Sequence, residues 1–213
     1  MSTAFSCTEV LERTTRSILT GAAEKNTPAE LVAALLELEK HGKSQKQTDS
    51  IERLIGTWRL VFVTGTKKSR QRAGIVLGAG RYLPNWITIS LCYTPVSSQD
   101  DRQATVDFEV GWVQNRVALG TVQLSLTGPL KFFRKNNLLA FDFTRIQASV
   151  FDVKLYDGYV RGGLAREGEF DEERIGKQAF FNYFWIEEKA IAARGKGGGL
   201  ALWVRVPEKT SSD

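Results

Sequence analysis

The chain is 213 residues long, 42% apolar and 25% charged. That suits one globular domain of roughly 150–200 residues with a small appendage and a core that needs neither disulfides nor metal. Its net charge of +5 and isoelectric point near 9.2 fit an anionic lipid surface, an acidic protein, nucleic acid or a plainly solvated surface, while one histidine, His41, and two distant cysteines, Cys7 and Cys92, argue against histidine catalysis, a metal centre and a disulfide framework.

Residues 1–55 read as a helical section. Neither a basic segment with an apolar stretch behind it nor a Ser/Arg-rich leader opens the chain, so no signal or transit peptide is expected. Ser6 or Thr8 can cap a first helix that runs to about Thr20 and ends at Gly21. Thr27-Pro28 with Glu30 forms a capping box and starts a second helix. Leu31, Val32, Leu35, Leu36 and Leu38 give this helix its apolar face, and Gly42 is expected to close it. A third short helix is predicted over 49–55, capped by Thr48 or Asp49.

After Ile55 the apolar period changes from helical to two. Trp58, Leu60 and Phe62 alternate with polar or outward positions, and 86–93 forms a further strand. Val106, Phe108, Val110 and Trp112 make the clearest half-buried strand. Val122, Leu124 and Leu126 follow, Gly128-Pro129 is expected to turn the chain, and Asn136-Asn137 to form a hairpin turn. Candidate strands then cover 138–146, 151–159, 180–186, 190–194 and 200–206, the last two joined through Gly197-Gly198-Gly199. The longest apolar run, Phe180 to Ile186, is broken by Asn182 and falls short of the roughly 18 residues of a membrane-spanning helix. Eight to ten strands joined by short turns predict a mainly β fold: a closed antiparallel barrel over 56–206, preceded by the helical section and followed by a frayed tail, 207–213. The charged, glycine-rich segment 161–177 is expected as a loop at the barrel mouth.

Catalytic motifs are missing. There is no Gly-x-Ser-x-Gly elbow and no phosphate-binding glycine loop. Glu167, Glu169, Asp171, Glu172 and Glu173 read as a charged loop, and Asp107 and Glu109 as outward, solvated positions. No catalytic residue, metal ligand or required cofactor is assigned. Aromatic residues are abundant, with five Trp and 12 Phe. In a barrel the inward face is filled by side chains or by a ligand. Phe62, Trp86, Phe108, Trp112, Phe141 and Phe143 are the ligand-cavity candidates, with plain core packing as the alternative at each. A void of roughly 300 Å³ or more would mark a ligand site.

Gly56-Thr57-Trp58, at the change from helix to strand, resembles the opening of lipocalins. The longer run Leu54 to Val61 resembles the first strand of the plastid lipid-associated protein (fibrillin) family. Arg194-Gly195-Lys196-Gly197-Gly198-Gly199-Leu200 resembles that family's closing hairpin, and Gly120 to Phe133 with Phe141-Asp142-Phe143 resembles its central strands. Ile191 stands where the family often has an arginine, and Glu187 represents an acidic residue common before the hairpin. With no transit peptide, the resemblance is to a cyanobacterial type. It implies a lipocalin-like barrel at thylakoid membranes or lipid droplets that binds a lipid, carotenoid or prenylquinone. By the same analogy Gly56, Trp58, Arg194 and Gly195 close the barrel, with Arg194 over the Trp58 ring.

Lys67, Lys68, Arg70 and Arg72 in one loop, and Lys131, Phe132, Phe133 and Arg134, are membrane-contact candidates, with solvated turns beside core phenylalanines as the alternative. The leading expectation is a non-enzymatic carrier or store of an apolar molecule, cytoplasmic or peripheral on a thylakoid membrane. The second is an interaction module, docking photosynthetic complexes or a prenyl-synthesis enzyme through Leu31, Leu35 and Leu38, without a bound ligand. A lyase or isomerase working through Cys92 or an acidic-loop carboxylate is the third. Nucleic acid is not an expected partner.

Overall fold

A computed structural model describes residues 2–22, 25–45, 48–65, 80–96 and 107–207. Lys67, Lys68, Arg70, Arg72 and Val106 lie outside these, as does all of the expected tail beyond Pro207. Two helices, α1 (Ser2–Thr20) and α2 (Pro28–Gln45), come first. The capping box forms as the sequence predicts: the Thr27 N–H donates to Glu30 Oε2 at 2.8 Å and the Glu30 N–H to Thr27 Oγ1 at 3.3 Å. Gly42 does not end α2. A Cβ there would lie 3.1 Å from the Phe184 carbonyl, so this glycine lets the helix approach the barrel. The third predicted helix is a single 3₁₀ turn, Ile51–Arg53, capped by Ser50.

Among the described residues eleven strands follow: β1 (Gly56–Val63), β2 (Arg81–Tyr82), β3 (Ile87–Pro95), β4 (Glu109–Leu119), β5 (Val122–Phe133), β6 (Leu138–Phe141), β7 (Arg145–Val150), β8 (Val153–Tyr159), β9 (Ala179–Ile186), β10 (Ala190–Gly195) and β11 (Leu200–Arg205). A short helix, α3 (Gly163–Glu169), lies between β8 and β9. The order β4-β3-β1-β11-β10-β9-β6-β5, closed by β4–β5 pairing, makes an eight-stranded antiparallel barrel of lipocalin-like form. All pairings are antiparallel, and closure removes the exposed edges of these eight strands.

The two faces of the wall carry separate cores. Trp58, Tyr93, Phe132, Leu139, Tyr183, Ile191 and Trp203 point inward. Phe62, Ala192, Leu202 and Val204 point outward and pack under Leu11, Leu31, Leu35 and Leu38 of the helices. These helical leucines are therefore buried against the protein's own barrel, which removes them as a docking face. The ion pair from Arg194 to Glu39 fastens α2 to β10.

One end of the barrel is plugged by the 3₁₀ turn, with Ile51 and Leu54 in the inner core. The Trp58 indole N–H donates to the Leu54 carbonyl at 2.6 Å. Arg205, not Arg194, covers the Trp58 ring, its guanidinium carbon 4.0 Å from the ring centroid. The strand period is the reason: Ile191 and Ala193 face inward, so Arg194 faces outward to α2. Arg205 shares the inward phase of Trp203 and pairs directly with Trp58 across β1–β11. Gly56 has a φ of 120°, which side chains rarely adopt, and a Cβ there would lie 2.7 Å from Arg205 Nη1. Gly195 belongs to the opposite end, beside Phe181.

Gly128-Pro129 is not a turn but the middle of β5. The lower part of β5, from Leu130 to Phe133, pairs with β6, and the upper part, from Val122 to Thr127, pairs with β7. The change occurs at Gly128, where the chain from β6 crosses so closely that a Cβ would lie 2.1 Å from the Asp142 carbonyl oxygen. Above this point β3, β4, β5, β7 and β8 leave the barrel as an open, five-stranded flange.

Candidate functional site

Strand register shows what the flange presents. Three cross-strand rows share the inward phase of the barrel: Ile87-Leu119-Val122-Val150-Val153, Ile89-Val117-Leu124-Ala148-Tyr156 and Leu91-Asn115-Leu126-Ile146-Gly158. A bulge at Leu155 keeps Val153 and Tyr156 on one face. The rows are apolar except for Asn115 and are mostly half-exposed or exposed. The opposite face reads Thr88-Ala118-Gln123-Ser149-Lys154 and Ser90-Arg116-Ser125-Gln147-Asp157. The greasy inner surface thus continues past the rim as an open trough with a polar back.

Below the trough the barrel fills itself. Phe181 lies 5.1 Å from Phe141 and 5.3 Å from Trp203, ring centre to ring centre. The Tyr93 and Tyr183 hydroxyls meet at 2.6 Å, and burial pushes both well above the ordinary phenol range. The expected aromatic-walled void is replaced in this half by interlocked rings. Cavities lined by described residues open elsewhere. One of about 420 Å³ lies between α1 and the β9–β10 turn, beside Leu19, Trp185 and Ala190. Another of about 290 Å³ lies where β1 parts from β3, beside Ile18, Leu60, Tyr82 and Ile87.

The aromatic candidates divide accordingly. Phe141 and Phe143 belong to the inner core. Phe62 faces the helices, edge-on to Tyr82. Phe108 packs at a tilt against Phe133 on the outer wall, Trp112 takes the outward phase opposite Pro129, and Trp86 is exposed. Phe62, Phe108, Trp112 and Trp86 therefore do not line the lumen. The trough is built instead from aliphatic positions, Val117, Leu124, Leu126 and Ile146, which residue type alone does not single out. Asn115 sits in its floor with Oδ1 buried and unpartnered.

Two membrane-contact candidates are corrected by burial. Phe132 is in the inner core. Lys131 is buried on the outer wall, where its ammonium donates to the carbonyls of Phe170, Asp171 and Glu173 at 3.1, 3.1 and 2.8 Å. Segment 161–177 is accordingly no mouth loop but a strap, α3 and a 3₁₀ turn, packed on the wall over Lys131. Phe133 is half-buried against Phe108, and Arg134 is exposed but paired with Glu109. Glu109 also accepts from the Ile51 N–H at 2.9 Å, so it holds the barrel plug.

The rim is braced by Asp142, which is buried and accepts from Arg161 at 2.9 Å, Arg166 at 3.0 Å and the Phe143 N–H at 2.8 Å. Arg166 also pairs with Glu173, and Glu167 accepts from the Thr144 hydroxyl. Burial alone would raise the Asp142 pKa, but the bonds from Arg166, Arg161 and Phe143 outweigh it and hold the carboxyl below its ordinary value of 3.8. A depressed carboxylate stabilises the fold above its unfolded pKa and loses that contribution as pH falls through the lower folded value. Acid titration followed by tryptophan fluorescence is expected to show stability declining below about pH 4. Asp142→Asn is expected to flatten that decline and to lower stability at neutral pH.

Among the described residues, no group of His, Cys, Asp and Glu is placed to hold a metal ion, and no helix is long and apolar enough to cross a membrane. Compared with protein-family models, curated proteins and solved structures, the chain matches none.

Proposed function

We propose that this protein binds an apolar molecule, without catalysing a reaction, in the trough above the packed half of its barrel. The observation that carries the reading is the continuity of the apolar inner face from Leu91 and Leu130 onto Val117, Leu124, Leu126 and Ile146, on a sheet whose other face is polar. A half-exposed aliphatic surface of this kind gains by covering, at about 25 cal/mol per Å². One polar group in such a floor suits the orienting contact of a ligand with a polar end. Asn115, placed between Leu91 and Leu126 in these rows, is the candidate for that contact.

The resemblance of the first strand and closing hairpin to plastid lipid-associated proteins supports a lipid, carotenoid or prenylquinone as the ligand, at a thylakoid or lipid-droplet surface. The self-filled lower barrel lends some support to the second reading, an interaction module without ligand. In that case the trough, not the helices, would meet the partner.

Titration with cis-parinaric acid, a fluorescent polyene fatty acid, tests the proposal. Saturable enhancement is expected, weakened at least tenfold by Leu126→Arg, which places a charge against the bound chain (about 1.4 kcal/mol per tenfold). Trp112→Ala, on the outer face, is expected to leave uptake unchanged. Uptake that does not saturate, or that Leu126→Arg leaves intact while circular dichroism shows the fold preserved, would contradict it.

A further inference from the structure

We infer that the tip of the flange is a bilayer-docking prow, through which the trough opens directly to membrane lipid. The inference rests on the apolar-ligand reading for its purpose, but its geometry stands separately. The β4–β5 turn and the β7–β8 turn lie side by side, joined by the Phe151 N–H to the Thr121 carbonyl at 3.0 Å. Together with the start of β3 they bring five large apolar side chains to one end of the molecule. Their exposures are 68% for Trp86, 49% for Leu119, 49% for Val122, 74% for Phe151 and 62% for Val153.

Phe151 is the telling residue. The β7–β8 hairpin closes Val150 onto Val153 through two residues, Phe151 and Asp152, with φ of 49° and 60°. Positive φ at both central positions is the type I′ pattern, which favours Asn or Gly. A bulky side chain there is strained. Phe151 is also mostly exposed, so packing within the fold does not account for it. A strained aromatic held outward at the apex of a hairpin points to something outside the protein that covers it.

The charge distribution selects the occupant. The five side chains gather at one exposed end, and the charged groups stand behind it on the polar face: Arg116, Lys154 paired with Asp157 at 3.2 Å, and the Asp152 carboxylate, which accepts from Gln123 Nε2 at 3.0 Å. Arg116 is three residues from Leu119, a setback of about 10 Å along the strand. Apolar groups entering roughly 5–10 Å, with cations at headgroup depth, match the layering of a bilayer interface, where tryptophan is also favoured. The occupant is therefore a lipid surface, met mainly by apolar burial.

Flotation with phosphatidylcholine vesicles, with and without phosphatidylglycerol, reads the inference directly. The wild-type chain is expected to float with both, and to remain bound in about 1 M NaCl, where charges are screened within about 3 Å. Phe151→Asn is expected to reduce flotation at least tenfold while leaving the melting temperature unchanged or higher, because asparagine accepts the left-handed backbone better. Three results would overturn the inference: no wild-type flotation, flotation that salt abolishes but Phe151→Asn does not, or a wild-type dimer without vesicles that Phe151→Asn makes monomeric. Titrating Phe151→Asn with cis-parinaric acid in the absence of vesicles separates this from the ligand reading. Retained uptake with lost flotation supports the prow. Uptake missing from both wild type and variant removes the ligand reading and leaves flotation to judge the prow alone.

Discussion

Gly128→Val is expected to destabilise the protein by more than about 4 kcal/mol, in the tail reserved for changes that the backbone cannot absorb. At Gly128 the chain leaving β6 passes so near that the first carbon of any side chain would lie 2.1 Å from the Asp142 carbonyl oxygen and 3.1 Å from the Phe143 Cα. Both obstacles are backbone, so no rotamer change relieves the overlap. The crossing is held on either side by the Asp142 N–H to the Pro129 carbonyl at 3.2 Å and the Thr144 N–H to the Thr127 carbonyl at 3.0 Å. Valine would force these apart where the barrel ends and the flange begins. Urea unfolding is the measurement. Gly128→Ala should shift the midpoint the same way by less, and hydrogen exchange should quicken first in β7 and β8. A variant as stable as wild type would mean that β5 does not pass from β6 to β7 at this residue.

The second large effect is expected at the other end of the barrel. Trp58→Ala should cost about 3–5 kcal/mol, as large aromatic truncations in a packed core do. The indole is fully buried among Tyr93, Val113 and Trp203, and its N–H satisfies the Leu54 carbonyl. Its ring also supports Arg205, whose guanidinium donates to the carbonyls of Arg53, Ile55 and Glu188 at 3.1, 2.9 and 2.6 Å. Losing the ring opens a cavity and loosens the arginine that ties the 3₁₀ plug to the last strand. Trp58→Phe keeps most of the packing but leaves the Leu54 carbonyl unpaired, a loss of about 1–3 kcal/mol. Thermal melts that place Trp58→Ala within about 1 kcal/mol of wild type would show that the plug is not built on this residue.

Local chemistry is readable in the sequence wherever one segment decides the outcome. Thr27, Pro28 and Glu30 start α2 as their side-chain bonds require. Asn137 takes the left-handed backbone at the predicted hairpin, and Gly198 does so in the last one. The period-two runs after Ile55 form strands, and their number and short turns indicate the barrel.

What escapes depends on neighbours distant in sequence. Gly128-Pro129 looks like a turn because its role is set by Asp142, which approaches from another strand. Lys131 looks like a surface cation because nothing local reveals the three carbonyls that bury it. Analogy places Arg194 on Trp58, whereas counting inward positions along the last strand leads to Arg205. The trough is hidden for the same reason. Alternation tells which residues of one strand share a face, but the rows Ile89-Val117-Leu124-Ala148 and Leu91-Asn115-Leu126-Ile146 exist only once register is fixed. Aromatic residues, as a guide, point to the half of the barrel that fills itself.

The proposed apolar ligand would lie along the aliphatic rows of the flange. Photo-crosslinking with a diazirine-bearing fatty acid, followed by peptide mass spectrometry, tests it most directly. Adducts are expected on 115–126 and 146–150, suppressed by excess unlabelled fatty acid and by Leu126→Arg. Labelling confined to the outer wall or the helices, or no labelling that unlabelled fatty acid displaces, would rule out a ligand on these rows.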